Sequence, residues 1–147
     1  MVMTTFLLIT QWPRWEFPVT KPRNKRPTDA ELEILRVLWT RGASTVRDIF
    51  REITDARDVG YTTVLKIMQI MTEKGLLIRD ETVRPQVYQV ARSQDDTQKQ
   101  LMRHLLERAF SGSPGNLVLQ ALSTKKTTSQ ERRKIRELLD ELERDAK

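Results

Sequence analysis

No cysteine occurs in the 147 residues, which closes disulfides, thiol nucleophiles, thiolate zinc sites and cysteine-based copper or redox sensing to this chain. Histidine is almost as scarce. His104 stands alone, so a metal would have only carboxylates, and the acids here alternate with Lys and Arg on helical stretches as solvated faces do. Neither a metal nor a cofactor is expected. Aromatic residues make up 6%, so the core must come from Leu, Ile and Val on small helices rather than from large rings. No apolar run approaches the ~20 residues of a membrane span. The run Phe6-Leu7-Leu8-Ile9 has no basic flank before it and no small-residue cleavage site after it. No Gly-rich phosphate loop or nucleophile–base constellation has a recognisable context, so no enzyme is expected. The location implied is the cytoplasm.

What is present is charge, unevenly spread. The formal net charge is +6, yet residues 28–91 carry nine Lys/Arg against ten acids, while residues 1–27 carry five against one and residues 92–147 twelve against nine. Net charge therefore does not by itself argue for nucleic acid; placement must, with Arg47, Lys66 and Arg84 facing a partner while Asp29, Glu31 and Glu33 face away. A chain of this length suits one small domain plus an appendage. Residues 1–26, with Trp12, Trp15 and several prolines but no periodicity, read as a flexible basic leader. Its Lys21, Arg23, Lys25 and Arg26 suit a solubilising tail better than an arm along the minor groove.

Ordered pattern begins at Pro27. Thr28-Asp29-Ala30-Glu31 is a capping box, followed by a helix with Leu32, Ile34, Leu35, Leu38 and Trp39 on one broad face and a stop at Arg41-Gly42. Trp39 reads as a core anchor. Ser44 or Thr45 caps a second helix with Val46, Ile49, Phe50 and Ile53 inward. A third runs from Tyr61 to Lys74-Gly75, turning Val64, Ile67, Met68 and Met71 to the core and Thr62, Thr63, Lys66 and Gln69 outward. The runs Leu76 to Arg79 and Gln86 to Val90 form a hairpin. Three helices and a hairpin over residues 27–91 make a winged helix-turn-helix, whose third helix enters the major groove of DNA.

Residues 92–147 read as a helical dimerisation domain. Met102, Leu105, Leu106 and Ala109 recur at helical spacing, Ser111 to Gly115 breaks the pattern, a short apolar stretch includes Leu119 and Leu122, and a capping box at Thr128 opens a last helix striped by Ile135, Leu138, Leu139 and Leu142. Such short helices cannot bury their apolar faces alone, and a second copy is the economical cover. The fold class is thus mainly α with a small β-hairpin. His104, on the first of these helices, suits an interfacial or surface role.

The run Pro27-Thr28-Asp29-Ala30-Glu31-Leu32-Glu33-Ile34-Leu35-Arg36-Val37-Leu38-Trp39, then Thr45-Val46-Arg47-Asp48-Ile49, Gly60-Tyr61-Thr62-Thr63-Val64 and Glu73-Lys74-Gly75-Leu76-Leu77, resembles the penicillinase and methicillin-resistance repressor family. Several motifs agree in order and spacing across residues 27–91. The C-terminal half is similar more loosely, through Phe110 to Ser113 and Leu117-Val118-Leu119. The resemblance implies a transcriptional repressor that sits as a homodimer on an inverted-repeat DNA operator, commonly of a β-lactamase or penicillin-binding-protein operon. It also implies a membrane sensor-protease as a partner that ends repression. The bond corresponding to the family's Asn-Phe cleavage site is Gln120-Ala121. Where the family's wing often has Gly-Arg, this chain has Val83-Arg84-Pro85. The copper-responsive branch carries C-terminal cysteines that are absent here, so copper sensing is not implied.

On this frame Ser44, Thr45 and Arg47 are placed to hold phosphate, at a helix start whose free N–H groups favour an anion; the plainer alternative is a capping Thr45 and a solvated Arg47. Thr62, Thr63, Lys66 and Gln69 face the bases, with Tyr61 either packing or touching the backbone. Arg84, and less directly Arg79, stands in the wing, as a flanking phosphate contact or as an ordinary surface arginine. A second class of function stays open at this level, a winged-helix adaptor that binds another protein without sequence-specific DNA binding.

Overall fold

The computed structural model describes residues 26–147. The capping box at Thr28 opens helix α1, Asp29–Arg41, and the Gly42 that ends it takes φ 86°, a left-handed value that a side chain would strain. Thr45, not Ser44, caps α2, Val46–Ala56: its hydroxyl accepts from the Asp48 N–H, and the Asp48 carboxylate accepts from the Thr45 N–H. Helix α3, Tyr61–Glu73, starts from Gly60 without a side-chain cap and turns through Gly75, φ 77°, into the hairpin. Strands β1, Leu77–Asp80, and β2, Val87–Val90, pair antiparallel with Leu77 opposite Val90 and Arg79 opposite Tyr88.

One core joins these elements. Ile34, Leu35 and Leu38 of α1, Ile49 and Ile53 of α2, and Val64, Met68 and Met71 of α3 close on Leu77 and Tyr88 of the hairpin. Trp39, Phe50 and Ile67, expected inside, are only partly buried and pack on the edge of this cluster. Period-3.6 spacing tells which face points inward but not how far a rim residue sinks.

A tie that sequence pattern does not reveal links the first loop to the hairpin. Ser44 and Tyr88 exchange backbone hydrogen bonds of 2.9 and 2.8 Å as an isolated bridge. Glu31 also departs from expectation. Instead of facing away as a solvated acid it is buried, accepting from the Thr28 N–H at 2.9 Å and from Lys74 Nζ at 2.7 Å, which pins the start of α1 to the end of α3.

The chain divides into two compact units, the boundary falling between Gln98 and Lys99, within helix α4, Gln94–Ala109. The second unit contains the rest of α4, then α5, Pro114–Thr124, and α6, Ser129–Asp145. None of its residues is buried. Among the described residues no helix is long and apolar enough to cross a membrane, and no cluster of three His, Asp or Glu side chains suits a metal. The leader expected over residues 1–26, with Phe6 to Ile9 and the basic Lys21, Arg23 and Lys25, lies outside the described residues apart from Arg26.

Candidate nucleic-acid interface

The start of α2 is built by its cap. Thr45 and Asp48 satisfy one another, and the two hydrogen bonds from Thr45, backbone first, hold the Asp48 carboxyl below its ordinary range, with Arg41 beside it at 3.4 Å helping. Asp48 is therefore an anion at this helix end, so a phosphate here would depend on the neighbouring cation. That cation is Arg47, exposed, with its guanidinium carbon 5.7 Å from the centroid of the Tyr61 ring. Tyr61 in turn meets the edge of Phe50 at 5.5 Å and 78°. Tyr61 thus packs while remaining 40% exposed.

Ser44 does not belong with Thr45 and Arg47. It is 2% exposed, and its hydroxyl donates to the Gly42 carbonyl at 2.8 Å. Its part is to hold the loop to the hairpin.

On α3 the core takes Val64, Met68 and Met71, so Thr62, Thr63, Lys66 and Gln69 emerge together on the exposed side. A cleft of about 390 Å³ runs between the starts of α2 and α3 and the hairpin, lined among others by Thr45, Arg47, Tyr61, Pro85 and Gln86. The Ser44–Tyr88 bridge brings β2 to this cleft. Pro85 and Gln86 carried no signal in the sequence, because a backbone bridge between distant segments leaves no local pattern.

In the hairpin, Asp80 accepts from the Thr82 hydroxyl and N–H, at 2.6 and 2.9 Å, and these bonds draw its carboxyl below the ordinary range. Arg79 is committed within the fold. Its hydrogen bonds to Tyr88 and Glu81 raise its pKa further and tie it to the hairpin, so it does not reach outward as anticipated. Arg84 is exposed, beside a cis bond to Pro85.

Ion pairs sort the cations. Arg41 binds Asp48 and Glu52, Arg57 binds Glu33, Lys74 binds Glu31 and Arg79 binds Glu81, whereas Arg47, Lys66 and Arg84, like Arg36 and Arg51, enter no ion pair among the described residues. A domain near neutrality can in this way present a basic face, because Glu31, Glu33, Asp48, Glu52 and Glu81 are paired with other cations.

The residues expected at a dimer seam are open. Met102, Leu105, Leu119, Leu122, Leu138, Leu139 and Leu142 are between 40 and 65% exposed, Ala109 is exposed, and Leu106 and Ile135 are partly buried.

A sequence profile described as penicillinase repressor matches residues 27–141. The penicillinase repressor of Bacillus licheniformis is 22% identical over 114 residues, 78% of this chain and 89% of that protein. The transcriptional regulator BlaI of Mycobacterium tuberculosis is 29% identical over 82 residues, 55% of this chain and 59% of that protein. The solved structure of a cysteine-to-serine mutant of Lactococcus lactis ZitR aligns over 99% of this chain and 95% of that one at 14% identity, with a TM-score of 0.37.

Proposed function

The chain belongs to the penicillinase repressor family, and on that premise we propose that it represses transcription as a homodimer seated on an inverted-repeat operator. By family it is a transcriptional regulator and not an enzyme. The observation that carries the finer reading is the exposed edge of α3, where Thr62, Thr63, Lys66 and Gln69 stand clear of the core on the helix whose first residue, Tyr61, meets the exposed Arg47.

In this reading α3 lies in the major groove. Thr62 and Thr63 touch thymine methyls or bond bases, Lys66 reaches guanine acceptors and Gln69 reads one turn on. Thr45 and Arg47 grip a phosphate at the groove edge, and Arg84 in the wing takes a flanking one. Two copies would set their α3 helices about 34 Å apart, one turn of the duplex, which suits an operator of matching symmetry. The apolar side chains left open on α4, α5 and α6 support a second copy as their cover. The location fitting this work is the cytoplasm.

A membrane sensor-protease is the partner we carry over from family resemblance. The bond at the position of the family's Asn-Phe cleavage site is Gln120-Ala121, in the middle of α5, and because its residues differ from that pair the cleavage itself is not carried over.

The test is a mobility-shift titration on the DNA upstream of the protein's own gene, with scrambled competitor and at two salt concentrations. Tight, competitor-resistant binding that weakens steeply with salt is expected. Binding no better than to scrambled DNA would favour the protein-interaction adaptor.

A further inference from the structure

Arg47 has an acid as its immediate neighbour and does not pair with it. The Asp48 carboxylate is occupied from elsewhere, accepting from the Thr45 N–H at 3.1 Å and standing 3.4 Å from the Arg41 guanidinium. Arg47 enters no ion pair among the described residues. What it meets is a ring. Its guanidinium carbon lies 5.7 Å from the centroid of Tyr61, inside the ~6 Å within which the negative face of an aromatic ring attracts a cation.

That ring is itself held. Arg47 and Phe50 stand three residues apart on α2 and so share a face, and Tyr61 lies across both, with Phe50 edge to face at 5.5 Å and 78°. Phe50 in turn packs against the core cluster. A line of contacts thus runs from the core through Phe50 and Tyr61 to an exposed cation. Tyr61 is also the first residue of α3, and it lines with Arg47 the cleft that opens beside the wing.

This arrangement suits a cation that has to be found in place. An arginine free in solvent gives up many rotamers when it grips a phosphate, and a ring that holds it beforehand reduces that loss. Contact with a ring draws on the charge and leaves N–H donors for a phosphate, whereas an ion pair with Asp48 would occupy some of them.

Resting on the DNA binding proposed above, we propose that Tyr61 is a positioning residue whose ring holds Arg47 ready for a DNA phosphate. Because Tyr61 opens α3, the same contact ties the phosphate grip on α2 to the seating of the base-reading helix. The ring does this work and the hydroxyl has no part in it.

The test is a set of titrations of the full-length protein with operator and scrambled duplexes over a range of salt. Tyr61→Leu keeps an apolar side chain against Phe50 but removes the ring face, and it should weaken binding to both duplexes roughly two- to fivefold for each copy bound, with a shallower salt response. Tyr61→Phe, which keeps the ring, is expected to restore what Tyr61→Leu loses. Progressive fluorination of a phenylalanine at position 61 depletes the ring's negative face with little change of shape, so affinity should fall stepwise even where Tyr61→Leu fails to fold. In an Arg47→Ala background each of these changes should cost nothing further.

Ring changes that cost as much in the Arg47→Ala background as in the unmodified protein would overturn the positioning role, and so would a Tyr61→Phe as weak as Tyr61→Leu, which would assign the contact to the hydroxyl. Both outcomes leave DNA binding standing. Failure of the unmodified protein to bind either duplex at low salt would remove the DNA-binding reading itself, and the positioning role with it.

Discussion

At the scale of single residues, the separation of Lys66 from Arg47 is the sharpest expectation. Lys66→Ala should weaken operator binding by roughly tenfold or more and scrambled-DNA binding much less, since a base contact discriminates. Arg47→Ala should weaken both alike and lower the salt slope by about one. Titrations on both DNAs check this, and equal losses for Lys66→Ala would end its assignment to base reading. Stability has its own test in Glu31, buried between Thr28 and Lys74. Glu31→Ala removes one half of a capping box and strands Lys74, at a cost of about 2–3 kcal/mol in urea unfolding. A change under about 0.5 kcal/mol would mean the pair is replaced by solvent. These residues also mark where sequence reading stopped. The capping role of Glu31 was legible from its spacing to Thr28, but its partner 43 residues on was not, and Ser44 resembled an exposed cap until the hairpin closed over it.

At the scale of elements, three helices open with capping boxes, at Thr28, Thr45 and Thr128. The latter two contain carboxylates, Asp48 and Glu131, held below their ordinary values of 3.8 and 4.5 by bonds from Thr45 and Thr128. A carboxyl with a folded pKa below its unfolded one contributes stability that is complete above the unfolded value and lost as pH falls through the folded one. Acidification below about pH 4 should therefore loosen both helix starts, and Asp48→Asn with Glu131→Gln should flatten that dependence. Denaturation midpoints at about pH 6 and about pH 3 measure it; an unchanged pH slope in the double variant would show that other carboxylates govern acid sensitivity. Gly75, at φ 77° and with no atom within 4 Å of where a Cβ would stand, offers a cleaner case. Gly75→Ala should destabilise by about 1 kcal/mol through backbone strain alone, with no repacking of the core.

For the molecule as a whole, the second unit has apolar side chains but no interior. Leu138→Asp with Leu142→Asp places charge in any shared seam formed there, and charge desolvated without a partner is costly. The variant should sediment as a monomer and should lose tight operator binding, because one half-site contact no longer brings the other. Persistence of the dimer would assign its interface to other surfaces.

The sequence by itself determined the six helices and the hairpin of the described residues, the inward faces of α1, α2 and α3, and the grouping of Thr62, Thr63, Lys66 and Gln69. All of these follow from spacing along one element, which side-chain periodicity encodes. Only the tertiary structure decided that Ser44 and Arg79 are used up inside the fold, that Glu31 is buried against Lys74, and that Pro85 and Gln86 reach the cleft beside Arg47. Apart from Arg79, whose partners Tyr88 and Glu81 lie in its own hairpin, each of those facts joins segments far apart in the chain, and a contact between distant residues leaves no periodic trace in either of them.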